Sequence, residues 1–279
     1  PREAERQKEQ CIAKTEPFLN GKHPGLIYVL NFHAIYSVSE QRMQWVSDYA
    51  NKNNLNLHIH LSETRKEVED CKALHGGLSP VEYLERLGIL SDRLIAAHTL
   101  WISDRDIELL GAHGVNCVHN INSNTKLSSG YRFRYKELES CGANVCIGTD
   151  GCASSNNLDM LEAMKTSALF QKAWRDDPSA MPLSPLMDMA TINGAKALGL
   201  NSGTLKEGAI ADLSIIDTDS TYFLSEGPFL ANLVYSAHSD CIDSLICNGR
   251  FLMREREIPQ EKEILHQARK VLTKISQKL

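Results

Sequence analysis

No two cysteines stand in a C-x-x-C spacing, and the eight that occur are scattered through the 279 residues. That argues against a disulfide framework, so a reducing, cytoplasmic setting is expected. No apolar run approaches the roughly 20 residues needed to span a bilayer, and the first residues are polar and charged, so neither a membrane span nor a signal peptide is expected. A basic excess is missing too. The net charge of -5 gives no electrostatic reason to expect nucleic acid or an anionic membrane as partner. Nor is there a glycine-rich phosphate loop after the first strand-like run, where Phe32-His33-Ala34-Ile35-Tyr36 stands instead; a doubly wound nucleotide-binding sheet usually presents one there. No internal repeat or low-complexity tract occurs.

What remains is ordinary globular usage, 42% hydrophobic and 23% charged, in a chain long enough to bury a large core. From residue 26 to about 175, strand and helix signals alternate. Leu26 to Phe32 is apolar and β-prone, and Ser39 to Asn53 reads as a helix that Ser39 can cap. Strand Leu55 to Leu61 precedes helix Ser79 to Leu87, which opens Ser-Pro. Strand Arg93 to His98 precedes helix Ser103 to His113, and strand Val115 to His119 precedes helix Tyr135 to Cys141, stopped by Gly142. Strand Asn144 to Thr149 leads to a long helix, Asn157 to Trp174. Such alternation implies a parallel sheet with right-handed crossovers. A further helix is expected over Leu183 to Leu198; then Ala209 to Asp217 and Ser244 to Glu257 read as β, turning at Asn248-Gly249. Residues 260–279 read as a charged amphipathic helix. Cys117, Cys146 and Cys247 lie in apolar strand-like sequence, where buried thiols are expected.

Several strands run straight into polar groups: His33, His60 with Glu63 three residues on, His98, and Asp150. Catalytic groups of a parallel α/β barrel sit at strand C-terminal ends, so this pattern favours a barrel over an open sheet. Alternation puts His58 and His60 on one face; His60 is the ligand candidate near the top, and His58 reads as a satisfied buried histidine one layer below. A histidine ligand with a nearby glutamate suits metal-assisted hydrolysis, in which the carboxyl shuttles protons. His98 and His33 each read either as structural histidines or as functional ones. Asp150 is either a helix cap or a site carboxylate, costly to bury without a cation or donors. For His119, Asn120, Asn122 and Asn124 the favoured reading is satisfaction of loop backbone rather than the pocket.

Taken together and in order, His58-Ile59-His60-Leu61-Ser62-Glu63-Thr64, Ala96-Ala97-His98, His119-Asn120 through Ser123-Asn124-x-Lys126-Leu127, and Gly148-Thr149-Asp150-Gly151-x-Ala153-Ser154-x-Asn156-Asn157 resemble the amidohydrolase superfamily. Within it the chain is most similar to the branch of 5'-methylthioadenosine/S-adenosylhomocysteine deaminases and triazine chlorohydrolases. His33-Ala34-x-Tyr36-Ser37 and Glu207-Gly208-x-x-Ala211-Asp212-Leu213 resemble further segments of that branch. The resemblance implies an α/β fold: a partial TIM-type (β/α)8 barrel of about the last five strand-helix units over residues 1–200, a small β-sandwich portion over 201–258, and a C-terminal helix over 259–279. It implies one divalent metal ion, zinc, held by His60 and Asp150. Glu63, His98 and Asp150 would be catalytic, and His33, Glu63 and Asp150 would contact a small-molecule substrate. The activity implied is hydrolytic deamination of a purine nucleoside-type or related aromatic amine. Dechlorination or deamination of a triazine, and deamination of guanine, are the alternatives.

The departures matter. That family's first strand carries a His-x-His pair supplying two metal ligands, and nothing here corresponds to it. The chain opens in a charged helix and reaches the equivalent of the fourth strand at once. Ile35 and Ile121 replace usual prolines, and Trp101 stands where a second histidine is common. The expectation is therefore a C-terminal fragment of a longer protein, or else a catalytically inactive remnant serving as a binding module. Five strands cannot close a barrel, and open apolar edges would recruit other chains, so a homo-oligomer is expected.

Overall fold

Alternation along the strands decides which face of the main sheet is available for chemistry. In the computed structural model, which describes residues 2–19 and 25–277, β1 (Val29–Asn31), β2 (Asn56–Leu61), β3 (Leu94–His98), β4 (Asn116–His119) and β5 (Asn144–Ile147) form one parallel sheet in sequence order. On β2, Leu57, Ile59 and Leu61 are buried, whereas Asn56, His58 and His60 remain half-buried. Parallel registry carries that second face across the sheet from His60 to Ala97, Val118 and Cys146. The apolar face packs under helices; the other is the inner, polar one.

The helices on this unit are α1 (Arg2–Leu19), α2 (Glu40–Lys52), α3 (Arg65–Leu74), α4 (Pro80–Arg86), α5 (Asp104–Ala112), α6 (Ile121–Lys126), α7 (Tyr135–Ser140), α8 (Cys152–Ser155), α9 (Met160–Arg175), α10 (Leu183–Ala190) and α11 (Ile192–Ala197). Side-chain capping explains four starts, those of α3, α4, α5 and α9. Ser79 and Glu82 form a reciprocal capping box on α4, with Pro80 in its first turn, and Ser103 and Asp106 do the same for α5. Asp159 accepts from the Glu162 amide, so α9 begins after Asp159 rather than at Asn157. Ser39 occupies the cap position of α2, but its side chain makes no capping bond.

Three expectations need correction. The first strand is only Val29–Asn31, and Leu26 and Ile27 are exposed. Helices α3, α6 and α8 stand where none was expected; α3 is initiated by Thr64, whose hydroxyl accepts from the Glu67 amide. The helix expected over Leu183 to Leu198 breaks at Thr191 (φ -131°, ψ -85°). That break matters, because it turns α11 toward the N-terminal ends of the strands. There Asn56 donates to the Ala197 carbonyl at 2.9 Å, Asn144 to the Asn193 carbonyl at 2.9 Å and to Asn116 Oδ1 at 2.8 Å, and Asn193 to the Val145 carbonyl at 2.8 Å. A layer of asparagines thus floors the inner face with its amides satisfied.

Residues 1–204 and 205–279 are separate compact units. In the second, β6 (Leu213–Ile216), β7 (Ile242–Cys247) and β8 (Arg250–Met253) form an antiparallel sheet. Asn248 (φ 48°) and Gly249 (φ 74°) supply the left-handed pair that a two-residue hairpin turn requires. The short turn α12 (Phe229–Ala231) and α13 (Glu261–Ser276) complete it. Among the described residues no helix is long and apolar enough to cross a membrane. All eight cysteines are free. Cys117 and Cys146 are buried as expected, with burial first among the causes that push their thiols up to about 12; Cys247, on a two-faced strand, is exposed. His23 and the last two residues of the expected terminal helix lie outside the described residues.

Candidate active site

The C-terminal ends of the strands are where the backbone leaves regular geometry. Ser62 (φ 51°) follows β2, His98 (φ 76°) and Thr99 (φ 43°) end β3, and Asp150 (φ 59°) follows β5. Side-chain-bearing residues seldom adopt this left-handed region, and those that do cluster at functional sites. For His98 the consequence is direct. Strict alternation would send its ring outward with Leu94 and Ala96, yet the imidazole lies parallel to that of His60, centroids 5.4 Å apart at 20°. Gly148 serves the same end: a Cβ there would lie 2.5 Å from Asn120 Oδ1 and 2.9 Å from Val118 Cγ1, so only glycine lets the chain pass to Asp150.

His60 is aimed by its neighbour strand. Its amide and its Nδ1 both hydrogen-bond the His33 carbonyl, at 3.0 and 2.8 Å, leaving Nε2 as the free nitrogen. His33 itself is exposed, its ring 4.9 Å from that of His60 and its Nδ1 3.0 Å from the Ser37 hydroxyl. His58 lies beneath, edge-on to His60 at 5.7 Å. It is half-buried and its ring has no hydrogen bond among the described residues, rather than buried and satisfied. Burial, then the charges of His60 and His98, lower its pKa, with Asp150 pulling the other way.

Glu63 sits on the turn after β2, where Glu67 fixes the backbone by accepting from the amides of Ser62 and Glu63 at 2.9 and 2.8 Å. Glu63 Oε1 accepts from the Ser129 hydroxyl at 2.8 Å, and Oε2 faces His98 Nε2 across 3.7 Å. Asp150 accepts from Ser123 Oγ at 2.6 Å and from the Gly151 amide at 2.7 Å. Burial alone would raise its pKa, but those two donors and the nearby His98 and His60 hold the carboxyl below the ordinary aspartate range. The imidazole of His98 thus faces the Glu63 carboxyl and lies close enough to Asp150 to act on its charge, and such groups can take and return protons.

The segment 120–130 organises all three. Helix α6 brings Ser123 to Asp150, while Asn124 bonds His98 Nδ1 at 2.7 Å; past the helix, Ser129 reaches Glu63. Trp101, in the place of a possible second histidine, donates from Nε1 to the Ser129 carbonyl at 2.7 Å and so tethers that loop. Asn124 therefore serves the site rather than loop backbone, and Ser123, present in the sequence only as part of a motif, and Ser129 hold site carboxylates with no sequence signal for that role. Asn122 does not enter this group; it donates to Glu162 at 3.1 Å. His119 points away from it, fully buried against Phe133 with ring centroids 4.2 Å apart, and neither ring nitrogen has a hydrogen-bond partner among the described residues. A cavity of about 1010 Å³ lies elsewhere, lined by residues including Arg65, Trp101, Tyr131 and Trp174; it contains none of the four strand-end groups.

As a metal site the arrangement fits in kind but not in number. His60 Nε2 and the Asp150 carboxylate are suitable donors. A catalytic zinc takes three protein ligands, and among the described residues no group of three or more histidine, cysteine or acidic side chains is placed to hold an ion.

The sequence model described as the Amidohydrolase family matches residues 1–252. The chain belongs to that family. Among curated relatives, a 5'-deoxyadenosine deaminase of Methanoregula boonei is 45% identical over 236 residues, covering 85% of this chain and 53% of its own. A 5-methylthioadenosine/S-adenosylhomocysteine deaminase of Archaeoglobus fulgidus is 40% identical over 247 residues, covering 88% and 58%. The chain thus spans little more than half the length of these relatives. Of solved structures, an adenosine deaminase from Xanthomonas campestris with bound zinc superposes with a TM-score of 0.89 at 30% identity, over 95% of this chain and 62% of that one. An atrazine chlorohydrolase from Arthrobacter aurescens in complex with zinc gives 0.85 at 22%, over 95% and 59%, a likeness of fold.

Proposed function

We propose that this amidohydrolase chain carries the proton-transfer half of a hydrolytic deaminase acting on a purine nucleoside of the 5'-deoxyadenosine, methylthioadenosine or S-adenosylhomocysteine type. The observation that carries the reading is the facing of Glu63 Oε2 and His98 Nε2 across 3.7 Å, with Asp150 close enough for both His98 and His60 to act on its charge. The relatives named as deaminases of such nucleosides support the substrate class. The five parallel strands represent about the last five units of a (β/α)8 barrel, and residues 201–258 a portion of a β-sandwich; the zinc-bound neighbours support a divalent metal, to which this chain would contribute His60 and Asp150.

The residues of this chain divide the proton traffic. Water adds to the ring carbon that bears the amino group. Asp150 and His98 accept the two protons that water gives up; His98 hands one across to Glu63, which delivers it to the adjacent ring nitrogen, and the other passes from Asp150 to the amino group, which leaves as ammonia, so that water and amine become carbonyl and ammonia. His33, exposed at the end of β1, would contact the substrate. Ammonia release from the three nucleosides tests the reading, and E63Q lowers turnover by about 10²–10⁴-fold; wild-type turnover in E63Q removes the shuttle role. A non-catalytic module is the second reading, favoured by the missing third donor. About one tightly held zinc per chain by metal analysis speaks for the enzyme, and none speaks for the module.

A further inference from the structure

We infer that Asn124 is a positioning residue that fixes the tautomer of His98, placing the ring proton on Nδ1 and leaving Nε2 as a bare acceptor toward Glu63. The inference rests on the proton-transfer reading of His98 and adds to it the group that prepares it. Three observations converge. Asn124 Oδ1 lies 2.7 Å from His98 Nδ1, and with the amide in this orientation its carbonyl oxygen, only an acceptor, calls for the hydrogen on Nδ1. Both residues are buried, His98 at 1% exposure and Asn124 at 0%, so water does not compete for the bond. The other edge of the ring meets Glu63 Oε2 at 3.7 Å, too far for a hydrogen bond.

The tautomer has a chemical consequence. With the hydrogen on Nδ1, His98 Nε2 and the Glu63 carboxyl face each other as acceptors across 3.7 Å, an arrangement that calls for a donor between them and suits a water that must lose a proton. With the hydrogen on Nε2, His98 would present a donor and could take no proton there. Which ring nitrogen is protonated is set by the bond the other one makes. Here that bond comes from α6, whose preceding residue Ser123 holds Asp150. Asn124 Nδ2 is buried with no partner among the described residues, a cost that an aspartate, having no donor, would not incur.

The test is nitrogen NMR on the whole chain labelled at histidine, at about pH 8.5 where imidazoles are neutral, with the His98 signals assigned by their loss in H98Q. The expected result is a protonated Nδ1 and an unprotonated Nε2 in the unmodified protein. N124D keeps that pattern, and N124L moves the proton to Nε2. A His98 protonated on Nε2 in the unmodified protein overturns the inference without help from any variant, as does an unchanged tautomer in a folded N124L. Failure of the deaminase reading is separable. A chain that releases no ammonia yet shows the Nδ1-protonated ring supports the assignment of Asn124 and overturns the catalytic reading, whereas an active chain with the Nε2-protonated ring does the reverse.

Discussion

Ser123 holds Asp150 from 27 positions earlier in the chain, its hydroxyl donating to Oδ2 at 2.6 Å. Of the influences that lower the Asp150 pKa, this bond is the largest. In S123A the carboxyl therefore moves back up toward the ordinary aspartate value. A group depressed in the folded state contributes stability that is present above its unfolded pKa and lost as pH falls through its folded one. The substitution shrinks that contribution, so acid unfolding of S123A begins at a higher pH. Carbon NMR titration of the Asp150 carboxyl checks the first step; an unmoved midpoint would show that Gly151 and the histidines suffice.

How the candidate site is built was legible only in part. His60 and Asp150 stood out because apolar, β-rich sequence ends abruptly in a group that is costly to bury. The parallel sheet followed from strands alternating with helices that carry their own caps, Ser79 and Ser103. The positioning groups gave no such signal. Ile121-Asn122-Ser123-Asn124-Thr125-Lys126 has a single apolar residue and no periodicity, so its helix is owed to tertiary bonds rather than to pattern. The turn that brings His98 beside His60 depends on a positive φ at a residue with a Cβ, which no periodicity foretells. The break at Thr191 was hidden because Leu183 to Leu198 is apolar enough to read straight through.

The asparagine floor makes a stability prediction. Asn144 is buried and its amide serves both Asn116 Oδ1 and the Asn193 carbonyl. N144L fills the same space but strands the buried Asn116 Oδ1, a loss of about 1–3 kcal/mol for an unsatisfied buried group, and removes a bond to the half-buried Asn193 carbonyl. Denaturant melts of the single and double substitutions N144L, N116L and N116L/N144L give the coupling. The double substitution should cost less than the sum of the singles, because the Asn144–Asn116 bond is then removed from both sides. Strict additivity would mean that the two amides do not act as one network.

His119 supplies the clearest pH dependence. Burial, with His98 second, pushes its pKa down to about 3 from an ordinary 6.5, and neither nitrogen finds a partner among the described residues. Between those values the unfolded chain binds a proton that the folded chain refuses, so stability rises with pH across the window and falls on acidification. H119F keeps a ring against Phe133 while deleting the titrating group and both unpaired nitrogens. Its stability near neutrality should equal or exceed that of the unmodified protein, and its acid loss should be smaller by an amount on the order of a few kcal/mol. Carboxylates also destabilise on acidification, but they titrate mostly below about pH 5. The decisive comparison is therefore the slope of unfolding free energy from about pH 5 to 6.5, where His58, also depressed, retains its own share in both proteins. Equal slopes in the two proteins would mean that His119 is solvated or bonded in solution, and its burial as a neutral, unpartnered ring would have to be given up.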